Sequence, residues 1–428
     1  MISDMLDLKY IRENLEEIKA NTLRRHSAAD PDLVVSLYEE RNRALQEIEA
    51  LRKKRNENAR SMKHKLSDAE RSELITEGKN LKSSIASLEA GLEQTKARLQ
   101  EEAARIPNLT HPDAPRGEGE EDNLEIRRWG TLEAMSFAPR DHLQIGRDLD
   151  LLDFETAARI SGQKFYFLKN EAVLLELALV RYGLDILKQD GFVLTITPDI
   201  AKEEIVEGIG FNPRGEESNI YSLEGTGTCL VGTAEITLGS YYAGRILDAQ
   251  ELPIKMAGLS HCFRREAGAA GQYSKGLYRV HQFSKLEMFV FCLPSQSEEM
   301  HLYLLDLEEK IYQGLEIPYR VVDTCSAELG GPAYRKYDLE AWMPGRGEAG
   351  GWGEITSASN CTDYQARRLG VRVKEEGKNI HAHMLNGTAI AVSRTLIALL
   401  ENFQQEDGSV GIPEKLAAYT GFDRITAK

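Results

Sequence analysis

The sequence lacks the features that mark membrane, secreted and zinc-binding proteins. Its 428 residues include five cysteines, and none of them forms a Cys-x-x-Cys pair, so the usual sequence support for a zinc site or a redox-active disulfide is missing. No apolar run approaches the roughly 18 residues of a transmembrane helix. The polar, acidic N-terminus has neither the basic start nor the apolar core of a signal peptide. We therefore expect a cytoplasmic protein whose cysteines are reduced and buried.

Two common nucleotide-binding motifs are missing as well. The sequence has no GxxxxGK[ST] P-loop and no GxGxxG turn after a predicted strand. A nucleotide would therefore have to be held without a P-loop or a dinucleotide-binding fold. The net charge of −15 argues against nucleic acid as a partner only if the charge is spread evenly, and it is not.

Two long helices with a coiled-coil repeat are predicted within residues 33–106. Seam positions recur with alternating gaps of four and three, from Leu37 to Met62 and again from Leu74 to Ile106. This 3.5-residue repeat is typical of a coiled coil. The polar stretch from Lys63 to Ser72 would form the turn, which gives an antiparallel hairpin very roughly 40–50 Å long.

Basic residues gather towards the tip of this predicted hairpin, where only Glu57 opposes them. They are Arg52, Lys53, Lys54, Arg55, Arg60, Lys63 and Lys65. A basic tip is what contact with nucleic-acid phosphates requires. The alternative is a solvated helix surface that keeps the hairpin soluble. The charge pattern alone leaves both interpretations open.

A domain boundary is predicted where the hairpin ends. The stretch Ile106–Pro115 (IPNLTHPDAP) contains three prolines, and the acidic run Arg116–Asp122 follows it. We expect an N-terminal helical domain of residues 1–110 and a second domain of residues 111–428. The second domain should be α+β with a mostly antiparallel sheet. Its predicted strands are Phe192–Thr197, Ile254–Leu259, Tyr278–Phe283, Met288–Phe291 and Tyr319–Val322.

Arginines, a carboxylate and an aromatic ring are close together between Cys262 and Glu287. The string CFRREAG, a loop rich in Gly and Ala, and GLYRVHQFSKLE predict a strand, a loop and a returning strand. A guanidinium matches phosphate geometry, a carboxylate can accept from an exocyclic amine, and a phenyl ring can stack on a base. A hairpin with surface ion pairs would give the same string, so both interpretations stay open.

Two further segments contain polar residues that could contact a nucleotide. In Leu385–Asn402, a short polar turn is predicted to lead into an apolar helix. Arg394 interrupts that helix and must either pair with a carboxylate or face an anion. In the strand-like segment Gly353–Cys361, Glu354 and Ser357 offer oxygen ligands for Mg²⁺. Surface strands also contain such residues, so neither segment is decisive alone.

Taken together, these segments resemble the motifs of class II aminoacyl-tRNA synthetases. Phe192–Pro198 (FVLTITP) resembles motif 1, with its proline at Pro198, and the segments above resemble motifs 2 and 3. Thr233–Ala234–Glu235, FRREAGAAG, RVHQFSKLEMF, GEITSASNC and LENFQQEDGSVGIPE are similar to the seryl-tRNA synthetase family. The helical hairpin followed by IPNLTHPDAP fits the same family, so the resemblance covers essentially the whole chain.

The resemblance implies an ATP site and a magnesium site. The residues it assigns to ATP are Arg264, Arg265, Glu266, Arg279, Val280, Phe283, Glu354, Ile355, Thr356, Ser357 and Arg394. Arg264 would hold the α-phosphate and orient the serine carboxylate, Glu266 would accept from the adenine amine, and Phe283 would stack on adenine. Arg394, helped by Arg279, would hold the γ-phosphate. Mg²⁺ would bind to Glu354 and Ser357, and no zinc is expected.

The resemblance also implies a pocket for the amino acid. Its residues are Thr233, Ala234, Glu235, Arg264, Glu287, Asn386 and Thr388. Thr233 and Glu235 would face the serine amino group. Glu287, Asn386 and Thr388 would surround the hydroxyl group.

The partners implied by the family are L-serine and tRNA-Ser, with tRNA-Sec where that tRNA exists. The hairpin would grip the long variable arm of the tRNA, and the motif 1 segment would form a homodimer interface. The segment Gly345–Gly353 (GRGEAGGWG) has a glycine content typical of a mobile loop, and the sequence indicates no role for it.

Three alternative functions are weaker. A class II synthetase for threonine or proline would share the motifs, but the hairpin and Thr233–Ala234–Glu235 disfavour it. A synthetase-like binding or regulatory protein without catalysis would usually lack the hairpin or an arginine such as Arg264 or Arg394, and this chain has all three. A coiled-coil interaction protein is least consistent with intact nucleotide motifs.

Overall fold

The computed structural model describes residues 7–132, 135–213, 218–267 and 273–427. It divides into two compact units, one that ends at Pro107 and one that begins at Asn108. Among the described helices, none combines the length and the apolarity needed to cross a membrane. All five cysteines are free and buried, as the sequence predicts.

The first unit consists of helices. Its helices are α1 Leu8–Glu13, α2 Leu15–Arg24, α3 Pro31–Ser61 and α4 Asp68–Arg105. Asp30 caps α3 through a bond from the Leu33 amide, and a capping box of Ser67 and Glu70 begins α4. Ile48, Ile85 and Leu92 pack in the seam between the two long helices. The predicted helical hairpin is confirmed, but its turn is shorter than Lys63–Ser72 because the capping box starts α4 at Asp68.

An eight-stranded sheet forms the centre of the second unit. In chain order its strands are β1 Leu124–Trp129, β2 Val193–Ile196, β3 Ile254–Phe263, β4 Gln282–Cys292, β5 Tyr319–Asp323, β6 Arg335–Met343, β7 Gly351–Asn360 and β8 His383–Ala391. Their order across the sheet is β1-β5-β6-β7-β8-β4-β3-β2, and only the pair β2 and β3 is parallel. The predicted α+β class with a mostly antiparallel sheet is confirmed.

The second unit also contains helices, several of which pack against this sheet. They are α5 His142–Asp148, α6 Phe154–Ser161, α7 Glu171–Gln189, α8 Glu203–Ile209, α9 Glu235–Gly239, α10 Ser297–Gly314, α11 Tyr364–Leu369, α12 Val392–Asn402 and α13 Glu414–Thr420. Leu179 of α7, Leu304 of α10 and Leu396 of α12 belong to one apolar core with the strands. Gly183 allows α7 to approach β4, because a Cβ atom there would lie 2.8 Å from a methyl carbon of Leu286.

Short elements complete the unit. Its short strands are Leu152–Asp153, Phe167–Leu168, Ile200–Lys202, Tyr221–Leu223, Thr228–Leu230, Ile246–Asp248, Arg372–Glu375, Lys378–His381, Val410–Gly411 and Arg424–Ile425. Its 3₁₀ turns are Glu120–Asp122, Ala249–Glu251, Gly276–Tyr278, Pro294–Gln296 and Ser326–Glu328.

Two predictions about secondary structure are wrong. The segment Tyr278–Phe283 is not one strand, because Gly276–Tyr278 forms a 3₁₀ turn and β4 begins only at Gln282. The polar residues at 386–388 are not a turn but the middle of β8. In β8 the polar side chains of Asn386 and Thr388 interrupt the apolar pattern by which buried strands are recognised.

The glycine-rich segment Gly345–Gly353 is not a loop throughout. Residues 351–353 begin β7, and the preceding residues form the turn that joins β6 to β7. The string GRGEAG at 345–350 does match GxGxxG after a strand. It leads into another strand and not into a helix, so it is not a dinucleotide-binding turn.

Candidate active site

A cleft lies over β4, β7, β8 and the start of α12. The predicted residues that line it are Arg264, Glu266, Arg279, Val280, Phe283, Glu354, Ile355, Thr356, Ser357, Thr388 and Arg394. Lys285 and Tyr278 line it too, although the sequence analysis did not select them. The alternation of β4 could have identified Lys285, because it lies two residues before Glu287 and therefore on the same face.

Arg264 lies at the end of β3, where the strand meets the cleft. Its Nε donates to the Gly232 carbonyl at 3.2 Å, and its guanidinium carbon is 5.3 Å from the centroid of the Phe283 ring. The neighbouring Arg265 is exposed and does not line the cleft; its backbone amide donates to the Asn219 carbonyl. The loop predicted after Glu266 includes residues 268–272, which lie outside the described residues.

Glu266 and Arg279 form an ion pair in the cleft. Arg279 Nη1 lies 3.0 Å from Glu266 Oε2, and Arg279 Nε donates to the Tyr273 carbonyl at 3.2 Å. The φ angle of Glu266 is +50°, in the left-handed region that non-glycine residues seldom adopt. This conformation turns the chain at the start of the loop and leaves the Glu266 carboxylate against Arg279.

Arg394 and Glu354 form a second ion pair. Arg394 Nη1 lies 3.0 Å from Glu354 Oε1 and also donates to the Glu354 carbonyl at 3.0 Å. Burial favours the neutral carboxyl group, but the combined charges of Arg394, Lys336 and Arg264 prevail and lower the pKa of Glu354. The two interpretations of Arg394 therefore both hold, because it pairs with a carboxylate and also lines the cleft.

A β-bulge brings Glu354 and Ser357 to the same cleft. Side chains three residues apart on a regular strand point to opposite faces. Along β7, however, Leu339 pairs with Thr356 and Glu340 pairs with Glu354, so Ile355 is an extra residue. This bulge shifts the alternation by one residue.

Glu235 is the centre of a group of buried polar side chains next to the cleft, which we call the Glu235 pocket. Its Oε1 accepts from Gln365 Nε2 at 2.7 Å and from Asn386 Nδ2 at 3.0 Å. Thr233 Oγ1 accepts from the Glu235 amide at 3.2 Å, and Ala234 is buried beside them. Burial, together with repulsion from Glu287, raises the pKa of Glu235 to about 7.

Glu287 adds a second carboxyl group to this pocket. It forms an ion pair with Lys285 and accepts from Thr388 Oγ1 at 3.4 Å. Burial raises the pKa of Glu287 above its ordinary value, although Lys285 opposes the shift. The pocket therefore contains two buried carboxyl groups and one lysine, and Lys285 also reaches the cleft.

Gln365 is a pocket residue that the sequence analysis missed. It is fully buried on α11, and its Nε2 donates to Glu235 and to the Ile209 carbonyl. It lies far along the chain from Glu235, and no local pattern links the two residues.

The seven basic residues of the hairpin tip are all exposed on α3 or in the turn after it. Arg52 pairs with Glu89 of α4 at 2.6 Å. The tip therefore presents its positive charge to solvent.

Comparisons with known proteins agree with this architecture. Residues 222–403 match the family described as tRNA synthetase class II core domain (G, H, P, S and T), and residues 5–110 match the Seryl-tRNA synthetase N-terminal domain. A serine–tRNA ligase of Treponema denticola is 60% identical over 422 residues, which are 98% of this chain and 100% of the relative. One from Borrelia recurrentis is 57% identical over 424 residues, 99% of this chain and 100% of the relative.

Two solved structures resemble the whole chain. The seryl-tRNA synthetase from Pyrococcus horikoshii complexed with ATP has a TM-score of 0.91 at 40% identity and covers 99% of this chain and 100% of its own. The cytoplasmic serine–tRNA ligase from Naegleria fowleri in complex with AMP has a TM-score of 0.86 at 32% identity and covers both chains fully. The resemblance predicted from the motifs is confirmed.

Replacing Glu235 by Gln is expected to remove a loss of stability that the wild type shows as the pH rises from 4.5 to about 7. The folded protein holds the Glu235 proton up to about pH 7, whereas the unfolded chain releases it near 4.5. Stability from this group is thus fully present below pH 4.5 and is lost as the pH rises through 7, by about 3 kcal/mol in all. Between pH 5 and pH 8, the free energy of unfolding of the Glu235→Gln variant should rise by roughly this amount relative to that of the wild type. Denaturant unfolding at the two pH values measures this difference. The exposed Glu299→Gln is the control, and an unchanged pH dependence in Glu235→Gln would contradict the assignment.

Proposed function

The chain belongs to the seryl-tRNA synthetase family, and from this premise we propose that its cleft forms seryl-adenylate from L-serine and ATP and then transfers serine to the 3′ end of tRNA-Ser. The observation that carries the proposal is the junction of an arginine-lined cleft with a buried carboxylate pocket. Lys285 joins the two parts, because it lines the cleft and pairs with Glu287 of the pocket. An inactive binding protein would have no need of this paired and buried set of charges.

Adenosine and the α-phosphate would lie along β3 and β4. The Phe283 ring would stack on adenine, and the Glu266 carboxylate would accept from the adenine amine. Arg264, held over Phe283, would bind the α-phosphate and orient the serine carboxylate.

The terminal phosphates would lie against Arg279 and Arg394. Each of these arginines is already held in place by a carboxylate and by a backbone carbonyl. A bound polyphosphate would meet guanidinium groups that need little reorganisation.

Glu354 and Ser357 fit a magnesium ion that is shared with the phosphates. Among the described residues, no group of three or more His, Cys, Asp or Glu side chains is placed so that it could hold a metal ion. Mg²⁺ needs no such group here, because it commonly binds one or two protein oxygens and completes its shell with phosphates and water. The bulge of β7 brings a carboxylate and a hydroxyl to one cleft, which fits that pattern. When bound, the ion would neutralise phosphate charge.

The serine side of the site would be the Glu235 pocket. Glu235 and Thr233 would receive the ammonium group, and Glu287, Asn386 and Thr388 would surround the hydroxyl. Such a pocket discriminates against alanine, because a methyl group would leave the buried polar groups without a partner.

The chemistry proposed has two steps that balance without a covalent enzyme intermediate. A serine carboxylate oxygen attacks the α-phosphorus, and pyrophosphate leaves. A ribose hydroxyl of the tRNA 3′ end then attacks the carbonyl carbon of seryl-adenylate, and AMP leaves. Alignment and charge stabilisation are the main requirements of both steps, and Arg264 and Arg394 have the chemistry to supply them.

We further propose that residues 1–110 bind tRNA and that residues 111–428 form the catalytic domain. The exposed basic tip supports a role in holding the tRNA backbone, with tRNA-Sec as a second substrate where it exists. The expected location is the cytoplasm, where these substrates occur.

A homodimer is proposed through α7 and β2. These elements contact each other and expose apolar side chains: Val173, Leu174, Leu177, Val193, Leu194 and Ile196. Strand β2 also lies at an edge of the sheet. An exposed apolar face next to a sheet edge supports an interface.

The proposed activity is tested first by ATP–pyrophosphate exchange. Serine should support exchange, whereas threonine, alanine and proline should not. The Glu287→Ala variant should lose at least about tenfold of the preference for serine over alanine, because the pocket no longer penalises a missing hydroxyl. Exchange with no amino acid, from folded protein, would favour the inactive binding protein.

Charge reversal at the hairpin tip should impair tRNA charging but not the formation of seryl-adenylate. The double variant Arg60→Glu, Lys63→Glu should raise the KM for tRNA by roughly tenfold or more, because it removes phosphate contacts. Serine-dependent exchange should not change. The matched double variant Arg43→Glu, Arg98→Glu, exposed nearer the base of the hairpin, should charge tRNA normally. Equal effects of the two double variants would contradict the role of the tip.

The dimer proposal is tested by sedimentation at micromolar concentration. The wild type should sediment as a dimer, and Leu177→Glu should shift it towards monomer because Leu177 is 61% exposed on the proposed face. Leu302→Glu, at a 50% exposed leucine of α10, should leave the dimer intact. A monomeric wild type would refute the proposal.

A further inference from the structure

The turn between β6 and β7 is anchored to the helix that carries Arg394. The Gly345 amide donates to Glu401 Oε2 at 2.9 Å, and Glu401 is buried on α12 two turns beyond Arg394. The Arg346 amide then donates to the Met343 carbonyl at 3.1 Å. The backbone at Arg346 therefore has a fixed position relative to α12.

The Arg346 side chain lies on two tyrosine rings. Its guanidinium carbon is 4.1 Å from the centroid of Tyr273 and 4.7 Å from that of Tyr278. Its Nη1 atom is buried and has no hydrogen-bond partner within the described part of the chain. Contacts with the aromatic rings therefore hold the guanidinium, in the manner of a cation–π interaction.

Gly353 leaves the space that this guanidinium occupies. A Cβ atom at Gly353 would lie 2.7 Å from Arg346 Nη1. Any larger residue at the start of β7 would push the guanidinium away from its present place. The space that the Arg346 guanidinium needs therefore explains why a glycine stands at position 353.

The same two tyrosines hold the two arginines proposed for the terminal phosphates. Arg279 Nε donates to the Tyr273 carbonyl at 3.2 Å, and Arg394 Nε donates to the Tyr278 carbonyl at 3.4 Å. The tyrosine rings contact each other edge to face, with centroids 5.2 Å apart. Arg394 also lies 4.6 Å from the Tyr278 ring centroid.

We propose that Arg346 is a positioning residue of the ATP site. By stacking on Tyr273 and Tyr278 it fixes the two backbone carbonyls that orient Arg279 and Arg394 towards the terminal phosphates. The proposal rests on the proposed function, in which these two arginines bind the γ-phosphate of ATP. It assigns a role to the glycine-rich turn, which the sequence alone leaves without one.

The test compares ATP and AMP binding to Arg346→Ala and Arg346→Lys by calorimetry, without any amino acid. Arg346→Ala should weaken ATP binding about tenfold, because Arg279 and Arg394 are then no longer pre-positioned for the terminal phosphates. AMP, which lacks the terminal phosphates, should bind to this variant as to the wild type. Arg346→Lys keeps the charge but lacks the flat guanidinium, so it should restore ATP binding only in part.

Arg128→Ala is the matched control. The Arg128 guanidinium carbon lies 5.3 Å from the ring centroid of Trp352, which is on β7, the strand that follows the turn with Arg346. The Arg128→Ala variant therefore loses an arginine–aromatic contact close to this turn but away from Tyr273 and Tyr278. ATP binding to this variant should equal that of the wild type. Equal losses for ATP and AMP in Arg346→Ala would overturn the proposal, because they would show general damage to the site. Unchanged ATP binding, or full restoration by Lys, would also overturn it.

Steady-state exchange separates this proposal from the proposed function. In Arg346→Ala the KM for ATP should rise about tenfold while the KM for serine changes little. If the wild type binds ATP but supports no serine-dependent exchange, the proposed function fails. The calorimetric comparison of ATP with AMP would still decide the role of Arg346.

Discussion

The ion pair between Arg394 and Glu354 is the interaction on which the site depends. A guanidinium at the start of an apolar helix is costly to bury unless a carboxylate lies beside it. Glu354 meets this need from β7, so the pair joins α12 to the sheet at the point where the cleft opens. The same helix holds the β6–β7 turn through Glu401, seven residues further on. A partly buried ion pair thus lies where a helix and a strand of the site meet, and the same helix holds the turn.

Two other cations of the site are also paired with carboxylates, whereas Arg264 is held by other contacts. Arg279 is paired with Glu266, and Lys285 is paired with Glu287. Arg264, in contrast, is held by the Gly232 carbonyl and the Phe283 ring. Neither contact neutralises a positive charge, so the Arg264 guanidinium remains available to an anion. This agrees with its proposed place at the α-phosphate, where the substrate itself supplies the negative charge.

The sequence was most successful in predicting elements and site residues that local repeats and motifs mark. The 3.5-residue repeat predicted α3 and α4, and the arginine strings predicted most residues that line the cleft. It failed where a polar residue sits in a buried strand, as Asn386 and Thr388 do in β8, because the usual alternation signal is then reversed. It also could not find Gln365 or Arg346. Their partners are distant along the chain or are backbone carbonyls and ring faces, for which a linear pattern contains no signal.

The group of buried polar residues around Glu235 shows how such non-local contacts determine a property of the site. Glu235 and Glu287 repel each other in a buried space, and Lys285 forms its ion pair with Glu287. The pocket therefore has room for one more positive charge, and until it arrives the pKa of Glu235 lies at about 7. An ammonium group would favour the ionised carboxylate and release its proton. In the pocket that we propose for serine, binding of the ammonium group would therefore be coupled to ionisation of Glu235. Gln365 and Asn386 keep the receiving oxygen in place throughout.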